Sequence, residues 1–184
     1  MAQQGTVAVE RMGGVGARRV EGAFREVYAE AFAGAPYHEG PDDVAAAFAR
    51  FPTLTRRAGF RAALARDEDG QPIGMAYGYC LAADAVWWDH LVTPVPDAMR
   101  REDGYRTFGL IELAVRPSWQ GRGVARLLHR TLLDGLTAER VLLNVHPEGS
   151  AASAAYRAWG YRKVGEAIPW DGADLHDVML LALR

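Results

Sequence analysis

The 184-residue chain has one cysteine, Cys80, which excludes an intrachain disulfide framework. It has no apolar run approaching the roughly 20 residues needed to cross a membrane. Its first residues, Met1-Ala2-Gln3-Gln4-Gly5, lack the apolar core of a signal peptide. These absences set the expectation of a soluble, cytoplasmic protein. An excess of one charge sign is also missing. The net charge is −2 and the pI about 6.2, which excludes bulk attraction to nucleic acid. His38, His90, His129, His146 and His176 are scattered without an HExxH pattern or Cys/His ligand spacing. Asp174, His176 and Asp177 read as the polar end of an edge strand, so no metal is expected. There is no internal repeat, low-complexity segment or linker. Residues 1–184 therefore read as one domain, with an ordinary globular composition of 49% hydrophobic and 24% charged residues.

Hydrophobic periodicity orders the chain. A first strand is expected over Thr6–Met12, followed by Gly13-Gly14-Val15-Gly16. No Lys-Ser/Thr follows these glycines, so a P-loop is rejected and a flexible connection expected. A helix over about Ala17–Ala33 places Val20, Phe24, Val27, Tyr28 and Ala31 on one face. Asp42 or Asp43 is expected to cap a second helix ending near Phe51. Strands over Phe60–Asp67 and Pro72–Leu81 flank the polar turn Glu68–Gln71. Ala82–Arg106 is a long irregular insert with a short helix near Met99, a kind of segment more often functional than idle. Further strands are expected at Leu110–Val115, Arg140–Val145, Arg162–Glu166 and Leu175–Leu183, with an alanine-rich helix over Ser150–Trp159. The order β-α-α-β-β-β-α-β-α-β-β indicates a mixed α/β fold.

The most informative segment is 107–136. An apolar strand leads through Arg116-Pro117 into Gln120-Gly121-Arg122-Gly123, and a helix bearing Val124, Leu127, Leu128 and Leu132 follows at once. Glycines allow close backbone approach, and the first N–H groups of a helix lack intrahelical partners and attract anions. Arg122, Arg126 and Arg130 add positive charge every four residues. The segment is expected to hold a phosphorylated ligand. A dinucleotide fingerprint fails, because Arg126 stands where its third glycine belongs.

Downstream, Tyr156 stands four residues before Gly160-Tyr161. Together with Gln120-Gly121-Arg122-Gly123-Val124-Ala125, which fits the fingerprint Gln/Arg-x-x-Gly-x-Gly/Ala, this resembles the GNAT superfamily of acyl-CoA-dependent N-acetyltransferases. The resemblance implies a GNAT fold, with a mixed central sheet of about six to seven strands flanked by about four helices. It also implies acetyl-CoA as co-substrate, direct transfer of acetyl to a primary amine without a covalent intermediate, and a homodimer. By the same resemblance, backbone from Gln120, Gly121, Arg122, Gly123, Val124 and Ala125 cradles the CoA pyrophosphate, aided by Arg126. The edge at Leu113, Ala114 and Val115 pairs with the pantetheine arm, and Tyr156 lies near the thioester sulfur, while Ser150, Ser153 or a water is expected to make the cofactor contact that the residue at 149 lacks. Gly149 departs from the pattern, since many members carry Asn there.

Glu112 is the candidate general base. It interrupts an apolar strand on the face of Phe108, Leu110 and Ala114, where burial raises a carboxyl pKa. A glutamate satisfied by an arginine is the competing reading. Tyr156 is the candidate general acid by resemblance, with core packing as its alternative. Cys80 reads as a core residue and not as an acyl carrier. For the acceptor, Tyr37, Glu39, Tyr77, Trp87 and Trp88 are the candidates, since aromatic walls and a carboxylate suit a cationic amine. The competing reading has the tryptophans covering the core. A small amine is the preferred acceptor, with a protein N-terminus or lysine, or a non-catalytic acyl-CoA-binding module, as alternatives.

Overall fold

A computed structural model of the chain describes residues 6–184. Met1–Gly5, read above as lacking a leader core, lie outside the described residues. The elements run β1 (Ala8–Met12), α1 (Gly14–Arg19), α2 (Glu21–Phe32), α3 (Pro41–Leu54), β2 (Arg61–Arg66), β3 (Pro72–Cys80), α4 (Asp97–Arg100), β4 (Thr107–Val115), α5 (Val124–Leu133), β5 (Arg140–Val145), α6 (Ser150–Ala158), β6 (Arg162–Ala167) and β7 (His176–Ala182). The strands form a seven-stranded mixed sheet in the order β1-β2-β3-β4-β5-β7-β6, the expected fold class. No described helix is long and apolar enough to cross a membrane.

The chain divides into two compact units. The first comprises the described residues up to Tyr79 together with Glu112–Leu136. Here β1, β2 and β3 are antiparallel neighbours, with Glu10 opposite Leu64 and Leu64 opposite Met75. Helix α5 lies against β1 and β2, and α2 against α3. Phe51 anchors the core, its ring 5.5 Å from Phe24, 5.3 Å from Phe48 and 5.2 Å from Tyr77. Each fully buried side chain of this size contributes roughly 1.5–3 kcal/mol relative to exposure.

Four expectations fail in this unit. The single helix over Ala17–Ala33 is broken at Val20, whose φ of −115° and ψ of 23° leave the helical region. The glycines before it form the start of α1 and not a flexible connection. A Cβ on Gly14 would collide with the carbonyl of Thr55, so glycine is needed there for close packing. Helix α3 is capped at Gly40 and not at Asp42 or Asp43: Asp43 reaches back to accept the Gly40 N–H at 2.8 Å. It also runs on through Pro52, whose carbonyl accepts the Thr55 hydroxyl at 2.8 Å.

Gly74 seats α5. A Cβ there would lie 2.8 Å from Leu128 Cδ1, 3.2 Å from Val124 Cγ1 and 3.3 Å from the Ala114 carbonyl. Gly74→Val is therefore expected to destabilise the protein by about 1–3 kcal/mol through overpacking. A chemical denaturation curve would check this, and an unchanged midpoint would contradict it.

The second unit comprises Cys80–Ile111 and Thr137–Arg184. Thr107–Gly109 of β4 pair in parallel with Arg140–Leu142 of β5, and the ladder ends there. Strand β5 also pairs with β7, which in turn pairs with β6, both antiparallel. The irregular insert is fixed by one buried carboxylate. Glu102 Oε1 accepts from Trp88 Nε1 at 2.8 Å, the Thr107 hydroxyl at 2.9 Å and an Arg140 guanidinium nitrogen at 3.0 Å. These donors offset part of the cost of burying the charge, while among the described residues Glu102 Oε2 is buried without a partner.

Candidate active site

The phosphate-binding candidate is built by the turn between β4 and α5. Gln120 closes it, donating its side-chain amide to the Val115 carbonyl at 3.1 Å. Gly121 and Gly123 then take left-handed φ values of 71° and 81°, which favour glycine. A Cβ on either would meet nothing within 4 Å, so the space above the turn is open. Helix α5 has no side-chain cap, and its first carbonyl bond runs from the Leu127 N–H to Gly123 at 3.1 Å. Among the described residues, no backbone carbonyl accepts the N–H groups from Gly121 to Arg126. Such a row of unpaired donors at a helix start is an anion site. The arginine stripe differs from expectation. Arg122 lies in the turn, its guanidinium 5.1 Å from the Trp119 ring centre, so only Arg126 and Arg130 project from α5. Leu127, expected on the apolar face, is 38% exposed.

Strand β4 carries Glu112 within the first unit, between half-buried Ile111 and Leu113 and ahead of buried Ala114 and Val115. Glu112 is half-buried as a residue. Its carboxyl is nevertheless pushed up to about 8, first by burial and then by the charge of Glu39. No arginine is among the groups acting on it. Arg116, the nearest basic residue in sequence, pairs with Glu26 at 2.5 Å and Glu30 at 3.5 Å.

Three tyrosines share this electrostatic environment. Burial first, then the Glu112 charge, raise the pKa of Tyr28 on α2, of Tyr37 in the following loop and of Tyr77 on β3. Tyr28 also faces the Glu39 carboxylate as a hydrogen-bond donor. The Tyr37 ring is set edge-on to Phe32 at 4.8 Å. Of the acceptor candidates, Tyr37, Glu39 and Tyr77 thus gather around Glu112. Tyr28 joins them although its sequence position marked it only as a core-facing aromatic. Its signal is slight: it is the one hydroxyl-bearing member of the apolar face Val20, Phe24, Val27, Tyr28 and Ala31.

The remaining candidates belong to the second unit. Trp88 is 3% exposed, bonded to Glu102 and covered by Arg140, whose guanidinium lies 5.2 Å from the ring centre. Trp87 is half-buried, and among the described residues its indole Nε1 is buried without a hydrogen-bond partner. Ser153 and Tyr156 are buried on α6, whose first turn is closed by the Ser153 N–H to the Gly149 carbonyl at 2.9 Å. The Tyr156 ring meets Trp159 at 5.5 Å and Tyr161 at 5.3 Å. Among the described residues, no group of three or more His, Cys, Asp or Glu side chains is arranged to hold a metal.

Comparison with known proteins gives this geometry a family. The acetyltransferase (GNAT) family matches residues 22–161. N-alpha-acetyltransferase RimI of Mycobacterium tuberculosis is 43% identical over 53 residues, 29% of this chain and 34% of that protein. The match therefore spans about a third of the relative's length. Among solved structures, PH1933 from Pyrococcus horikoshii OT3 superposes with a TM-score of 0.69 at 18% identity, covering 97% of this chain and 99% of that one. A phosphinothricin acetyltransferase from Sinorhizobium meliloti, in complex with acetyl-CoA, gives 0.62 at 20% identity, covering 97% and 89%. At these identities the two structures establish the fold alone. The family match covers most of the chain and includes both motifs, so the chain belongs to the acetyltransferase (GNAT) family.

Proposed function

We propose that residues 1–184 act as one N-acetyltransferase domain that moves acetyl from acetyl-CoA to a small primary amine in a ternary complex. The observation that carries this reading is a half-buried glutamate whose carboxyl is pushed up to about 8, in the same unit as a helix start whose backbone donors are unpaired. The donors of Gly121–Arg126 and the open space at Gly121 and Gly123 fit a pyrophosphate. Acetyl-CoA supplies an activated thioester when bound. The Leu113–Val115 backbone is the proposed partner of its pantetheine arm.

An acceptor amine is mostly an ammonium at neutral pH and must lose a proton before it can attack. Ionised Glu112 takes that proton, directly or through water. Its pKa lies near the working pH, where a base combines availability with driving force. Tyr37, Glu39 and Tyr77 hold the amine. Tyr156 returns a proton to the departing thiolate, a role that rests on its motif position four residues before Gly160-Tyr161.

A second reading, acetylation of a protein N-terminus, is supported by the RimI match over 53 residues. Thiol release from acetyl-CoA, measured with alkylamines, polyamines, amino-acid amides and short peptides, separates the two. The expected product is a small amine heavier by one acetyl group. Faster turnover of peptides favours the second reading, and CoA binding without release for any amine contradicts both. Tyr156→Phe is expected to lower kcat about 10-fold or more with little change in KM for the amine. An unchanged kcat removes Tyr156 from the mechanism.

A further inference from the structure

Glu39 lies in the loop between α2 and α3, after Tyr37 and after His38, which holds a left-handed φ of 50°. Among the described residues its Oε2 is buried and accepts no hydrogen bond. A carboxylate oxygen can only accept, so this position is unfavourable until a donor arrives. The groups around Glu39 and Glu112 come from α2, α3, β3 and the loop itself. Tyr28 on α2 donates toward Glu39, and Asp43 on α3 adds negative charge. Tyr37 and Tyr77 face Glu112, and the one arginine in this set, Arg50 on α3, acts on Tyr77. The charges acting on Glu39 and Glu112 are carboxylates, with no cation among them.

An ammonium supplies what the arrangement lacks, because it brings three donors and one positive charge. A carboxylate attached beside that ammonium would bring a negative charge to the same half-buried acids, where repulsion is stronger than in water. We propose that Glu39 selects the acceptor: its carboxylate receives the ammonium of a primary amine and rejects amines bearing a carboxylate next to the reacting nitrogen. Alkylamines, arylalkylamines and amino-acid amides belong to the accepted class, and free α-amino acids do not. This inference rests on the proposed N-acetyltransferase activity and names its substrate class.

The experiment compares matched probes, 2-phenylethylamine with phenylalanine and glycinamide with glycine, each measured as acceptor and as competitor of the best amine in the thiol-release panel. The wild type is expected to favour the carboxylate-free member at least about 10-fold. Glu39→Gln should raise its KM about 10-fold and shrink the preference below about 3-fold, with kcat changing less. It should also move the pH midpoint of kcat downward, because the Glu39 charge no longer opposes ionisation of Glu112. Glu39→Asp, which keeps the charge, should retain the preference. Equal use of both members by the wild type overturns the inference, as does a preference unchanged in Glu39→Gln or the failure of every probe to compete. Acetyl transfer without carboxylate discrimination overturns this inference alone. Absence of CoA release with every amine overturns the proposed activity and takes the inference with it.

Discussion

Glu112→Gln is expected to lower kcat for acetyl transfer by about 10²–10⁴-fold while stabilising the protein at alkaline pH. The two effects share one cause. The Glu112 carboxyl titrates near 8 in the folded chain against an ordinary value of 4.5, raised first by burial and then by Glu39. Between those values the folded state keeps a proton that the unfolded state has lost. The folded state is therefore favoured least at high pH: the contribution of Glu112 to stability falls as pH rises from 4.5 and is fully lost above 8. The cost reaches on the order of 2–4 kcal/mol. Glutamine has nearly the same shape and never ionises, so it escapes most of that cost. Urea denaturation at pH 5 and pH 9 is expected to show Glu112→Gln gaining on the wild type mainly at pH 9. A glutamate held by an arginine would behave in the opposite way, its removal destabilising the fold above the carboxylate range. Loss of stability at pH 9 in the variant would therefore overturn the assignment.

Gly123→Glu is expected to raise the Kd for acetyl-CoA at least about 100-fold. Gly123 sits at the N-terminus of α5 with φ 81° and open space where a Cβ would stand. A glutamate there places a carboxylate over backbone donors that otherwise face an anion. The left-handed backbone adds a stability cost of about 1–2 kcal/mol for any residue with a Cβ. Gly172 separates strain from ligand loss, since it shares the φ of 81° and the open surroundings but lies in the other unit. Gly172→Glu should lose similar stability and keep its affinity for acetyl-CoA. Isothermal titration of both variants checks this, and equal affinity of Gly123→Glu and wild type would contradict the cradle.

Most strands were legible in the sequence as short apolar or alternating runs bounded by turn residues. Arg140–Val145 is observed at its expected limits, and Pro72–Cys80 is one residue shorter than expected. The strand–turn–helix of 107–136 was legible for the same reason, as all its signals are local. What was missed depends on partners distant in sequence. The glycines before Ala17 have the composition of a flexible connection, yet Gly14 is set by the Thr55 carbonyl about 40 residues away. The apolar periodicity of 17–33 continues through Val20, so only packing reveals the break between α1 and α2. Helix α3 passes the proline that sequence reading would use as a stop. Tyr28 was hidden for a related reason: its ring belongs to the core, while only its hydroxyl meets Glu39. Trp88 had the composition of a pocket wall, but its indole N–H serves Glu102, a pairing across 14 residues of irregular chain.

General-base catalysis by Glu112 requires a carboxyl that gains and loses its proton near neutral pH. The most direct measurement is a titration of its side-chain carboxyl carbon by NMR in protein labelled with carbon-13 glutamate, with the resonance assigned from its absence in Glu112→Gln. The predicted midpoint is about 8 in the wild type. A midpoint in the ordinary carboxylate range near 4.5 would contradict a proton-exchanging role for Glu112.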